Sequence, residues 1–182
     1  MFIVFLLLIS IALITITTII AVIFFVRDMF TRDVPFLPIR KDVLKIIIDT
    51  LQLFEGDIFY DLGSGDARVL IHAVKQVPGI RAIGIENGII PFIISSIKIC
   101  RLPVDIRFEN ILNSYISDAT HIYCYLVPNF LEKVQKKIIR ECKKGTKIIS
   151  CDYPFLDLMQ VDKISISTER SSIMRILYIY TI

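Results

Sequence analysis

Tyr60 to Leu70 reads YDLGSGDARVL, with two carboxylates, Asp61 and Asp66, set around two glycines, Gly63 and Gly65. The apolar run Ile58-Phe59-Tyr60 before it reads as a strand. Asp66 to Gln76 after it reads as a helix, with Val69, Leu70, Ala73, Val74 and Val77 on one side and Asp66 capping its start rather than touching ligand. Glycines at such a turn let backbone approach a ligand, and the first turn of a helix offers N–H groups to an anion. A pyrophosphate is poorly served by this loop. Dinucleotide loops carry a third glycine where the helix meets the strand, and Arg68 stands there. A phosphate near Asp61 also meets like charge. A zwitterion satisfies both ends, with its carboxylate at the helix and its ammonium at Asp61.

Glu86 closes a second apolar strand, Arg81 to Glu86. An acid at that place accepts hydrogen bonds from ribose hydroxyls. An amino acid and a ribose on one ligand point to S-adenosylmethionine. Asn110 follows a third strand, Val104 to Glu109, and its amide matches the donors and acceptors of an adenine edge.

The remaining elements must hold these groups together. Arg40 to Phe54 has a helical apolar face at positions 43, 44, 47, 48, 51 and 54. Ile89 to Cys100 is a further helix. His121 to Val127 is a fourth strand, and Pro128 suits the first position of the next helix. That helix buries Leu131, Val134 and Ile138, with Gly145 suited to its C-terminal cap. Lys147 to Cys151 is a fifth strand. Segments 161–168 and 173–181 carry strand character without a helix between them. The pattern predicts an α/β fold: a Rossmann-like, doubly wound sheet covered by helices on both faces, finished by an antiparallel hairpin. The ligand belongs beyond the carboxyl ends of strands one and two.

The chain has 182 residues, 54% of them hydrophobic, and a mean hydropathy of +0.66. The excess lies in Phe2 to Val26, which holds no charge and only Ser10, Thr15, Thr17 and Thr18 as polar interruptions. This predicts an uncleaved transmembrane anchor over 1–26, a juxtamembrane connector over 27–39 and a catalytic domain over 40–182. A cleaved signal peptide would need a basic start, a shorter apolar core and a small-residue cleavage site. Arg27, Arg32, Arg40 and Lys41 follow the apolar segment, which predicts a single-pass protein with its C-terminal domain in the cytoplasm. The formal charge of +3 is too weak to imply nucleic acid. Cys100, Cys124, Cys142 and Cys151 lack metal-ligand spacing, so no metal is expected. His72 and His121 read as structural. Lys133 to Lys147 holds seven basic residues and one acid, Glu141. A solvated helix face accounts for them, with contact to anionic lipid or an acidic partner as the sharper alternative.

DLGSGD followed by GIE resembles the class I, seven-strand S-adenosylmethionine-dependent methyltransferases. PFLPIRKDVLKIII, IFYDLGSGDARVLI, AIGIEN, DATHIYCYLVPNFLEKVQKKI and KKGTKIISCDYPF resemble one branch of them, the small protein-lysine methyltransferases, archaeal, bacterial and membrane-anchored. The resemblance runs from about residue 34 to the C-terminus. It implies strand order 3-2-1-4-5-7-6 and S-adenosylmethionine contacts at Asp61, Gly63, Gly65, Glu86 and Asn110. It also implies a protein acceptor, expected among membrane or membrane-associated proteins. The chain departs from the branch at Ala67, where glycine is usual, at Arg40 in PFLPIR, at Cys151, and in the apolar stretch NGIIPFII after Glu86.

Methyl transfer from a sulfonium is an in-line displacement, so the protein mainly positions the nucleophile and excludes water. Carboxylates can orient a lysine amine, and aromatic faces tolerate its charge. Tyr125, Asp152 and Tyr153, at the ends of strands four and five, are the catalytic candidates. Two alternatives stand beside lysine methylation: a small-molecule or lipid acceptor, and a catalytically silent cofactor-binding module.

Overall fold

The computed structural model describes residues 2–31, 41–168 and 171–182. The chain divides into two units, Met1–Arg32 and Asp33–Ile182.

The first unit is one helix, α1 (Phe2–Thr31). Its stretch Phe2–Ile23 is long and apolar enough to cross a membrane, at about 1.5 Å of rise per residue. The hydroxyls within it turn back on the helix. Ser10 donates to the Leu7 carbonyl at 2.8 Å, Thr15 to Ala12 at 2.8 Å, and Thr18 to Ile14 at 2.7 Å. Such back-bonding hides polar groups that an apolar solvent could not satisfy. α1 runs to Thr31, past Val26. Residues 32–39 of the expected connector, and Arg40, lie outside the described residues.

The second unit carries α2 (Lys41–Leu51), β1 (Ile58–Leu62), α3 (Arg68–Gln76), β2 (Arg81–Glu86), α4 (Ile89–Ile99) and β3 (Val104–Phe108). It continues with β4 (His121–Cys124), α5 (Pro128–Glu141), β5 (Lys147–Cys151), β6 (Gln160–Thr168) and β7 (Ser171–Thr181). The sheet order is β3-β2-β1-β4-β5-β7-β6, as the resemblance implied. β1 to β5 pair in parallel; β7 runs antiparallel to both β5 and β6. The order reverses between β1 and β4, which opens a crevice at their carboxyl ends.

Period-two alternation sends side chains to two cores. Phe59, Ala82, Tyr123, Ile149 and Leu177 face α2 and α3, with Ile47, Leu51, Leu70 and Ala73 against them. Tyr60, Leu62, Ile83, Ile122 and Tyr180 face α5, with Leu131, Val134 and Ile138 against them. The central strands are buried on both faces, so they read as continuous apolar runs.

Three local expectations are corrected. β4 ends at Cys124, because Tyr125 to Val127 leave the ladder to lead into α5, with Val127 extended at its N-cap and Pro128 following. Gly145 does not cap α5. The helix stops at Glu141, and Cys142, extended, donates its N–H to the Ile138 carbonyl. Gly145, at φ 91°, forms a later turn and donates to the Ile182 carbonyl at 2.8 Å. The Lys133–Lys147 run is not wholly a solvated face either. Lys137 is buried, donating to the Ser114 carbonyl at 2.5 Å and to Glu141 at 2.7 Å.

Candidate functional site

The carboxyl ends of β1 and β2 place Asp61, Gly63, Gly65 and Glu86 side by side, in register Asp61 to Gly84 and Leu62 to Ile85. Gly63 and Ser64 both donate to the Ile85 carbonyl, at 2.9 and 3.1 Å. Gly65 donates to Glu86 Oε2 at 2.8 Å, and Gly88 donates to Glu86 Oε1 at 2.7 Å. Ala67 donates to the Ser64 carbonyl at 2.9 Å. These loop amides are taken internally, so the loop has a fixed shape of its own.

That shape requires left-handed backbone at Gly63 (φ 81°) and Gly65 (φ 56°). A Cβ on Gly63 would also lie 3.0 Å from Leu126 Cδ2. Ala67 is left-handed as well, at φ 62°, ψ 17°. An alanine there stores roughly 1–2 kcal/mol of strain that glycine would not. The chain's departure from the branch thus falls on a position whose conformation favours glycine.

Asp61 is the electrostatic oddity. It is 2% exposed, and burial, with the nearby charges of Glu86 and Asp66, pushes its carboxyl well above the usual carboxylate range. Among the described residues none donates a hydrogen bond to it. Beside it, the buried hydroxyls of Ser64 and Tyr123 have no partner among the described residues. Tyr123 pairs with Asp61 in the β1–β4 register. Burial, together with Cys151 and Asp61, raises its phenol well above 10. A buried acid repelled by two others, amid unpaired hydroxyls, is suited to a zwitterion, whose ammonium meets the acid and whose carboxylate accepts hydrogen bonds nearby. The amino-acid end of S-adenosylmethionine meets that description, so the residues fit the cofactor.

Asp66 does not cap α3. The N-cap is Ala67, without a side-chain bond. Asp66 instead receives both Arg68 guanidinium bonds at 2.8 Å and Lys98 Nζ at 2.5 Å. Burial pushes its carboxyl up, but the bonds from Arg68 and Lys98 outweigh that and hold it at about 2. Asn110 follows β3. Its Oδ1 accepts the Leu112 N–H at 2.8 Å, and its carbonyl receives Asn113 and Ser114 in the same turn.

Tyr125 and Asp152 come together at the ends of β4 and β5, and the element that joins them is β7. Arg175 donates to both the Tyr125 hydroxyl and Asp152 Oδ2, and its guanidinium lies 5.1 Å from the Tyr125 ring centre. Asp152 Oδ1 accepts the Ile176 N–H at 3.1 Å. Asp152 is left-handed (φ 65°), a conformation that aspartate adopts more readily than most residues. Burial and Asp152 push the Tyr125 phenol up to about 12, against the pull of Arg175. Tyr153 is next to them and exposed; its carbonyl accepts the Ser150 hydroxyl at 2.6 Å. Arg175 was not among the residues expected from the sequence. The available signal was a lone cation in the apolar run Ile173 to Tyr180. Nor was Tyr123, whose place between two apolar neighbours reads as core.

This strand order, with a glycine loop after β1 and an acid ending β2, defines a class I S-adenosylmethionine-dependent methyltransferase. The ANTKMT methyltransferase domain model matches residues 61–162, more than half of the chain, and the chain belongs to that family. A protein-lysine N-methyltransferase of Saccharolobus islandicus (strain REY15A) is 27% identical over 128 residues, 68% of this chain and 80% of that protein. A lysine N-methyltransferase of Homo sapiens, named for the ATP synthase, is 28% identical over 131 residues, 66% of this chain and 52% of that protein. The chain thus matches about half the length of the human relative. Among solved structures, an RNA methyltransferase from Salinibacter ruber in complex with S-adenosyl-L-homocysteine has a TM-score of 0.70 at 26% identity. The likeness covers 80% of this chain and 93% of that one.

Proposed function

We propose that this chain methylates a lysine side chain of a protein in or at a membrane, with S-adenosylmethionine as donor. The observation that carries this reading is the Asp152–Tyr125 pair, which already holds a cationic side chain, Arg175. Lysine arrives as an ammonium, which a carboxylate beside an aromatic face suits. It releases a proton to solvent before the neutral amine attacks the methyl carbon and the sulfonium leaves as a thioether. The lysine N-methyltransferase names of the archaeal and human relatives support the same acceptor.

S-adenosylmethionine supplies a methyl group already activated by a sulfonium. The protein's part is therefore binding, alignment and exclusion of water. Asp61 receives the ammonium of the donor, in a place where Glu86 and Asp66 disfavour an uncompensated charge. A carboxylate offers roughly four acceptor sites, so Glu86 can hold the Gly65 and Gly88 amides and also take ribose hydroxyls. Asn110 presents its amide N–H groups to an adenine edge while its Oδ1 holds the turn. Gly63 and Gly65 bring backbone close. Asp152 and Tyr125 orient the acceptor amine, and Tyr153 flanks them. α1 anchors the chain in the bilayer, and the basic residues after it put the second unit on the cytoplasmic side.

The test is methyl transfer from labelled donor by the full chain to a membrane fraction, with peptide mass spectrometry. Label on lysine, lost with Asp152→Asn, is expected. Label confined to lipid, small molecules or RNA defeats the lysine claim. Donor binding without transfer to any acceptor identifies a silent module.

A further inference from the structure

α4 is built the wrong way round for a core helix. Its buried residues are Pro91 and Ser95, while Ile89, Ile90, Ile93, Ile94 and Ile97 are exposed, Ile97 by 70%. Phe92 packs against Phe108, ring centres 5.1 Å apart and tilted by 45°, and Phe108 is itself half exposed. A shallow groove of about 460 Å³ runs along Phe92, Ile93, Ser96, Ile97 and Cys100. Contiguous apolar surface of this kind marks an interaction face on a soluble domain.

We propose that this face of α4 lies on the surface of an anionic bilayer. The inference rests on the reading of α1 as a membrane anchor. Two observations choose a bilayer over a protein partner. First, no acidic residue lies between Glu86 and Asp105, so docking desolvates no carboxylate there. Arg101, exposed just past the end of α4, would meet anionic headgroups, while Lys98 is already paired with Asp66. Second, α1 ends at Thr31 and α2 begins at Lys41. The nine residues between span ten Cα–Cα steps, roughly 36 Å at most when fully extended. The second unit is thereby confined near the bilayer, where effective concentration makes a weak interfacial contact sufficient. α4 begins three residues after Glu86, so docking this face brings the carboxyl edge of the sheet toward the membrane, where a membrane-embedded acceptor would be reached.

The chain contains no tryptophan, so single tryptophans report cleanly. The full chain is reconstituted in phosphatidylcholine–phosphatidylglycerol vesicles with brominated acyl chains. Ile93→Trp and Ile97→Trp probe α4, Ile14→Trp probes α1, and Tyr115→Trp probes an exposed loop packed on the opposite face of the sheet. Blue-shifted, bromine-quenched emission at 93, 97 and 14, with 115 unquenched, is the expected result. Quenching at 14 but not at 93 and 97 overturns the α4 inference and leaves the anchor intact. No quenching at 14 overturns the anchor and the inference with it. A blue shift at 93 and 97 without quenching, together with a doubled mass, assigns the face to a second copy and also overturns it.

Discussion

Glu86 accepts the Gly65 N–H at 2.8 Å, which ties the end of β2 to the glycine loop of β1. One carboxylate thus shapes the loop, and in the proposed site it also takes ribose hydroxyls. Glu86→Ala leaves the Gly65 and Gly88 amides without their acceptor. Bonds to a charged acceptor contribute about 1.5–3 kcal/mol, so affinity for S-adenosylhomocysteine should fall roughly ten- to a hundredfold. Glu86→Gln keeps one acceptor oxygen and should lose less. Calorimetry on both variants checks this, and equal losses would contradict a two-part role.

In the proposed site, Asp61 should make the ligand's affinity depend on pH. Its folded-state value is raised, so the folded protein holds a proton that the unfolded chain has released. Stability therefore falls as pH rises from the ordinary value of 3.8 through the raised one. A ligand ammonium favours the charged form and reverses that loss. Thermal stabilisation by S-adenosylhomocysteine should grow with pH across this window, with proton release on binding. Asp61→Asn should bind weakly and show neither trend. An equally steep profile in the variant would assign the titration to another group.

Asp66 predicts the opposite sign. Its folded value of about 2 lies below the ordinary 3.8. Its pairs with Arg68 and Lys98 therefore stabilise the domain above 3.8, and this support is lost as pH falls toward 2. The shift corresponds to about 2 kcal/mol at most, since both partners are partly exposed. Asp66→Asn should lower stability at pH 7 by up to that amount and flatten the acid limb of a urea titration. Unchanged pH dependence would show that the carboxylate is supported elsewhere.

Ala67→Gly balances three effects. It relieves roughly 1–2 kcal/mol of left-handed strain. It gives up about 0.8 kcal/mol for a fully buried methyl and about 0.4–1 kcal/mol through a freer unfolded chain. The urea midpoint should move by no more than about 1 kcal/mol in stability. A large loss would mean that the methyl packs more tightly than its neighbours indicate.

The sheet was legible because its signals are local. Arg81 to Glu86 is apolar on both faces and bounded by Pro78-Gly79 and Gly88, so its limits in sequence and structure coincide. Where the sequence reading slipped, a distant partner had intervened. Asp66 looks like a helix cap until Lys98, a helix away, takes its carboxylate. Tyr125 reads as the continuation of β4, yet it leaves the ladder and bonds Arg175. Asp61 stood out in the sequence for a different reason. A charge at the end of an apolar strand has no local explanation, and its burial sharpens that argument.

Arg175 provides the sharpest test of the acceptor end. It bridges Tyr125 and Asp152 from β7, outside the region that the family model matches. In the proposed reaction it is a positioning residue, holding the carboxylate that orients the lysine. Arg175→Met should lower kcat/KM by tenfold or more, about 1.4 kcal/mol, and leave the affinity for S-adenosylhomocysteine unchanged. Asp152→Asn should do the same. Because the two side chains act as one unit, the double variant should be little worse than either single one. Arg175→Lys keeps the charge but loses the planar fork over the Tyr125 ring, so it should recover only part of the loss. Additive losses in the double variant would mean that Arg175 and Asp152 work separately. A faster enzyme on removing Arg175 would mean that its guanidinium competes with the lysine for Asp152.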